Sequence, residues 1–262
     1  LSKNAPFFGN FDFNNVDQFA VEDATVEITV DGHTEQLISI CLDDIPAAYR
    51  EEVSEQTGIP LDSAGEFVIN LCFYTVSDFT SDPPSFVGET GKRYHFRAEH
   101  EGKVVTASTQ ILPLTPLDSV WIEEEDDTLA TLFALYSDPD TIGNYLRYFT
   151  KRNSESFYPG FASVFDDNLI NGQTFHFPLD RGQSRSDDLD LDTYGYFWKG
   201  DTVIVRWCAI DRRHYDFWKT IEFDSGIDGP FSSATIIESN IEGGLGVWGG
   251  YGCSYDTIIV SY

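Results

Sequence analysis

Gly243, Gly244, Gly246, Gly249 and Gly250 crowd the segment 239–251 and force a choice between two incompatible folds. In letters, Gly244-Leu-Gly246-Val-Trp-Gly249 fits G-x-G-x-x-G, the turn that follows a strand and opens a helix in a dinucleotide-binding unit. Such a unit then needs a crossover helix, a second parallel strand and an acidic residue about 20 positions on. Only thirteen residues follow Gly249, and 253–260 reads as a final strand. No Lys-Ser or Lys-Thr pair follows the glycines, so a phosphate-cradling loop is excluded as well. What remains is a segment in which glycine supplies positive φ and close backbone approach at a sharp turn or bulge. Leu245, Val247 and Trp248 are expected to anchor it in a core.

The rest of the chain alternates with the period of strands. Residues 24–30 alternate, Asp31-Gly32 marks a turn, and 36–41 resumes the pattern. Further strands are expected at 65–75, 93–99 and 103–111, with Gly102 between the last two. One helix near 45–57 interrupts them. Asp44 is its expected cap, Pro46 sits in its first turn, Gly58 and Pro60 end it, and Ile45, Tyr49 and Val53 form its apolar stripe. Pro113 and Pro116 mark a short stiff connector, because two prolines three apart cannot continue a central strand. Beyond it, strands are expected at 119–124, 129–136, 144–150, 173–179 and 202–210, with hairpin signals at Asn171-Gly172 and Gly200-Asp201. Asp211 then caps a helix near 211–222 that places Tyr215, Trp218 and Ile221 on one face, and two closing strands flank the glycine segment.

The expected architecture is therefore mainly β in two domains. Residues 1–113 form an immunoglobulin-like β-sandwich with an inserted helix, and 117–262 form a larger C-terminal β-sandwich or barrel-like domain carrying one helix. At 41% hydrophobic and 15% aromatic residues, the chain has the material for a sizeable core. Cys41 and Cys72 fall in the first half, Cys208 and Cys253 in the second, spaced too widely for a zinc knuckle. One disulfide per half in an oxidising compartment and four buried thiols both fit that spacing.

Charge and chemistry narrow the function. A net charge of −28 argues against nucleic acid, since neutralising phosphates takes clusters of Lys and Arg, and it disfavours anionic lipid for the same reason. No window reaches the roughly 20 apolar residues of a membrane-spanning helix. The chain opens at Leu1 and holds no Met, so a targeting segment upstream is expected to have been removed. Alternate carboxylates at Asp188, Asp190 and Asp192 are the candidate Ca²⁺ ligands, because oxygen donors at that spacing can converge on one ion. Thr193 and Lys199 stand where an EF-hand needs Gly and Glu, so the loop is not one. The run 123–127 reads as a charged tip between strands. His33, His95, His100, His176 and His214 form no metal motif, and no G-x-S-x-G elbow occurs. Among 44 acidic residues any carboxylate pair is uninformative. Phe7, Phe8, Phe11, Tyr158 and Trp198 are aromatic candidates for a ligand groove. No catalytic residue and no cofactor other than a possible Ca²⁺ is expected.

With the strands placed, a set of ordered motifs becomes recognisable: Ala5-Pro-Phe-Phe8, Gly91-Lys-Arg-Tyr-His-Phe-Arg-Ala98, Val105-Thr-Ala-Ser-Thr109, and Pro113-x-x-Pro-Leu-Asp-Ser119. Asp138-Pro139 with Gly143-Asn-Tyr145, Phe165-Asp-Asp167 with Asn171-Gly172, Gly200-Asp201, and the stretch from Ser239-Asn-Ile to Gly249 continue it. Over nearly its whole length the chain resembles a Bacteroidota family, the domain of unknown function 4249. The resemblance implies an outer-membrane or cell-surface lipoprotein whose signal and acylated Cys lie upstream of Leu1, touching the membrane only through that anchor. Such proteins are often encoded beside TonB-dependent transporters, and the resemblance carries over no catalytic residue. The function expected is a non-enzymatic accessory protein assisting a TonB-dependent transporter in nutrient capture. The alternatives are a stand-alone glycan- or calcium-binding adhesion module and, behind it, a carboxylate-dependent glycosidase.

Overall fold

The computed structural model describes residues 1–3, 19–57, 59–183, 190, 192–224 and 236–261. It is mainly β, built from antiparallel sheets in a sandwich-like arrangement, with two α-helices among the described residues. Strands β1 (Thr25–Val30), β2 (His33–Cys41), β3 (Cys72–Thr75), β4 (Arg93–His100) and β5 (Lys103–Gln110) make one five-stranded sheet in the order β3-β2-β1-β4-β5. Two hairpins close through Asp31-Gly32 and Glu101-Gly102. In each, both residues have positive φ, the turn whose twist matches the flanking strands.

Alternation sorts the faces of this sheet. Val26 pairs with Ala98 and Phe96 with Ala107, and all four are buried on one face beside Leu37, Tyr74 and Val105. On the other face, at the β2-β3 edge, Ile40 and Phe73 pack with buried Leu42, Ile45 and Phe67. That second cluster delays the inserted helix. Ile45 is drawn into it and Pro46 is extended, so Asp44 ends a 3-10 turn (Leu42–Asp44) in place of capping a helix. A second 3-10 turn (Ala47–Tyr49) leads into α1 (Arg50–Thr57), and Tyr49 is exposed, outside the expected stripe. The strand expected over 65–75 shrinks to β3. Asp62 Oδ1 accepts from the backbone N–H groups of Ala64 and Glu66 and folds the preceding residues into a tight loop.

Eight more strands follow: β6 (Ser119–Glu124), β7 (Leu129–Ser137), β8 (Tyr145–Arg152), β9 (Tyr158–Asp166), β10 (Thr174–Leu179), β11 (Phe197–Trp198), β12 (Thr202–Ile210) and β13 (Gly252–Ile259). One sheet runs β10-β7-β11 with β6 also on β7, and the other runs β13-β12-β8-β9. Their facing residues form one core: Leu132, Ala134 and Tyr136 from β7, Leu146 and Tyr148 from β8, and Val203, Val205 and Trp207 from β12. Trp207, the largest side chain there, is almost fully buried, and burial of such a side chain contributes roughly 2–3 kcal/mol.

Strand β9 is absent from the sequence reading because Tyr158-Pro159-Gly160 resembles a turn. Here Pro159 lies on an edge strand, where a missing N–H costs least, beside a register irregularity between Arg147 and Phe149. Gly160 is required because a Cβ there would overlap the Tyr148 hydroxyl. Cys41 is bonded to Cys72 across β2 and β3, and Cys208 to Cys253 across β12 and β13, one disulfide in each half. After β12, Asp211 caps α2 (Arg212–Lys219), which continues as a π-helix (Thr220–Asp224). Tyr215 is buried against Val164 and Ile210, with Trp218 packed beside them. Of the two expected closing strands, β13 is the one present among the described residues. Before it, the described residues pair just once, Glu242 with Thr106 of β5.

Candidate functional site

The glycine segment lies over the buried face of the first sheet. Ser239 Oγ donates to the Gly246 carbonyl at 2.9 Å and accepts from the N–H groups of Ile241 and Gly246. The Asn240 amide clamps Trp248 from both sides, donating to its carbonyl at 2.6 Å and accepting from its N–H at 2.9 Å. So tied, Trp248 stacks on Phe96 with ring centroids 5.4 Å apart. Glycine is needed at the close approaches. A Cβ on Gly243 would lie 2.7 Å from the Val104 carbonyl oxygen, and one on Gly249 would overlap the His214 ring. The expected anchors divide accordingly: Trp248 packs inward, whereas Leu245 is 81% exposed, on the bend between Gly244 and Gly246.

Between this segment and the sheet lies a cleft of about 1280 Å³. Val26, Tyr74, Phe96, Ile241 and Trp248 give it an apolar interior, and Glu99, His100, Glu101 and Lys103 place charge at one end. The His100 Nε2 lies 2.9 Å from Asp23 Oδ1. Drug-sized ligand pockets typically run from about 300 to 1,000 Å³, so this cleft accommodates a large ligand.

A second cluster is buried beneath α2. Arg147 and Glu222 form an ion pair at 3.2 Å, both almost fully enclosed. Arg147 also donates to Ser163 Oγ and to the Tyr251 hydroxyl, each at 3.1 Å, and lies 3.6 Å from the centroid of Trp218. Glu222 accepts from both the N–H and the hydroxyl of Ser163. His214 packs against Tyr251 nearby, and burial, followed by the charge of Arg147, lowers its pKa to about 4. The imidazole is therefore neutral at pH 7. This cluster compensates its charges internally and fixes the helix to the sandwich.

The sequence-selected residues do not gather into one site. Asp188, Phe7, Phe8 and Phe11 lie outside the described residues. Asp190 and Asp192 are exposed, and the Asp190 carboxylate accepts locally from the Asp192 N–H and the Thr193 hydroxyl. The guanidinium groups of Arg152 and Arg181 lie 4.8 and 4.9 Å from the Trp198 ring centroid, and Tyr158 is part of β9. His95 bonds Ser108, and His176 lies beside Trp121 and Phe133. Among the described residues, one trio of His, Cys, Asp or Glu ligand atoms is close enough to share an ion: Glu22 with Cys41 and Cys72. Those two sulfurs are bonded to each other. Sequence reasoning did not single out Arg147 or Glu222, because β8 also carries Lys151 and Arg152 and nothing in its letters separates Arg147 from them.

No curated protein and no solved structure matches the chain. The family model described as a domain of unknown function, DUF4249, matches residues 1–254, and the chain belongs to that family.

Proposed function

We propose that this protein is a non-enzymatic, lipid-anchored accessory protein of the outer membrane that captures a nutrient for a TonB-dependent transporter. The observation that supports capture is the cleft of about 1280 Å³ between the first sheet and the glycine segment. Its walls are apolar and aromatic, with charge at one end, the usual make-up of a site that binds by burial and orients by a few polar groups. The Ser239 and Asn240 clamps hold its Trp248 wall in place before any ligand arrives, which reduces the ordering cost of binding. Family membership supports the partner and the location, through the lipoprotein character that the resemblance implies.

Capture is tested by purifying the protein from its own outer membrane and analysing the small molecules released on denaturation. The expected result is a stoichiometric molecule that is depleted in a Trp248→Ala variant. Equal recovery from that variant, or no released molecule at all, contradicts capture in this cleft.

A further inference from the structure

Two loops meet at one end of the C-terminal sandwich, residues 138–144 after β7 and 167–172 after β9. Asp167, 2% exposed, accepts through Oδ2 from the N–H groups of Gly143 at 2.7 Å and Asn144 at 2.9 Å. Asp138, 6% exposed, accepts through Oδ2 from the Gly172 N–H at 3.2 Å. Asp140 Oδ1 receives the Asn171 side-chain amide at 3.3 Å. Three carboxylates thus join the loops, and no Lys, Arg or His forms an ion pair with any of them among the described residues.

The Tyr136 hydroxyl bonds the Asp138 carboxylate as well, yet two oxygens in this junction are left without a donor, Asp138 Oδ1 and Asn171 Oδ1, both sealed from solvent. An amide oxygen and a carboxylate oxygen only accept, so each needs either a donor or a cation. Burying them without one costs about 1–3 kcal/mol apiece.

We infer that this junction binds a hard divalent cation such as Ca²⁺, with Asp138 Oδ1 and Asn171 Oδ1 as its side-chain ligands. Backbone carbonyls and water complete an all-oxygen shell of the kind Ca²⁺ accepts. With few charged ligands, the affinity falls in the weak class of extracellular modules, a dissociation constant on the order of 10⁻⁴–10⁻³ M. The ion neutralises the buried carboxylate and ties the two loops together.

The test is thermal unfolding of the full chain, stripped with chelator and returned to about 10 mM CaCl2 at an ionic strength of about 0.15 M, which screens diffuse binding to the acidic surface. The expected result is a saturable rise in Tm of about 5 °C, reversed by chelator. Asp138→Asn should unfold cooperatively but lose the rise. Asn171→Ala, which removes the other ligand without touching the carboxylate, should lose it too. An Asp190→Asn/Asp192→Asn variant should retain it. Absence of a saturable rise in the parent chain means water fills the junction and overturns the inference. So does a rise that persists in Asn171→Ala, or one that disappears in Asp190→Asn/Asp192→Asn.

Discussion

The Asp211 carboxylate joins the two halves of the chain: Oδ2 accepts from the buried Thr109 hydroxyl at the end of β5, while Oδ1 caps α2 by accepting from the His214 N–H at 2.9 Å. The Gly250 N–H also reaches Thr109 Oγ1, at 3.4 Å, so the strand, the helix and the glycine segment share one hydroxyl. Asp211→Ala removes a cap worth about 1 kcal/mol and a charge-assisted hydrogen bond worth about 1.5–3 kcal/mol. The expected loss of unfolding free energy is about 3 kcal/mol in urea titrations. Thr109→Val should cost less, and the double variant should fall short of additivity by about 1 kcal/mol. Full additivity would show that the two side chains do not interact in solution.

His214 makes stability depend on pH in a known direction. Its folded pKa, about 4, lies below the 6.5 of a free imidazole, so between those values the unfolded chain binds a proton that the folded chain does not. The contribution is fully present above about pH 6.5 and is lost as pH falls toward 4, by roughly 3 kcal/mol. Replacing His214 by Gln should lower stability at pH 7 but flatten this part of the pH profile. Parallel profiles for the parent and the variant would assign the dependence to other groups.

The glycines of the closing segment should differ sharply in tolerance. Gly249 lacks positive φ, yet a Cβ there would enter the His214 ring, which is wedged against Tyr251. Gly249→Ala should destabilise by about 2–3 kcal/mol through overpacking. At Gly244 the nearest atoms to a Cβ are the methyl groups Val105 Cγ1 at 3.3 Å and Ile241 Cγ2 at 3.4 Å, which need to yield by only a few tenths of an ångström. Gly244→Ala should cost less than about 1 kcal/mol. Equal losses at both positions would make the segment's requirement conformational instead of steric.

Local pattern made β6 and β12 legible to the residue, because β12 is a nearly continuous apolar run opened by Gly200-Asp201 and β6 lies between the Pro113–Pro116 connector and the acidic run 123–127. It failed where a tertiary partner overrode local chemistry. Pro159 and Gly160 look like a turn until Tyr148 lies against them, and Asp44 looks like a cap until Ile45 is drawn into its cluster. The glycine segment was legible as a packing device, since the missing second half of a βαβ unit excluded a nucleotide site. Its partners were not, because Thr106, Phe96 and His214 are far away in sequence. The Asp138–Asn171 junction was visible only as letters in the family resemblance; two loops about 30 residues apart reveal shared chemistry only once β7, β8, β9 and β10 set them side by side.

The accessory role is tested most directly by a mild-detergent affinity pull-down of the full-length, lipidated protein from its native outer membrane. The account predicts that a TonB-dependent β-barrel copurifies in near-equal amount, and that the complex persists when the Trp248→Ala change empties the cleft. Recovery of the protein alone, with the barrel left in the unbound fraction, would contradict it.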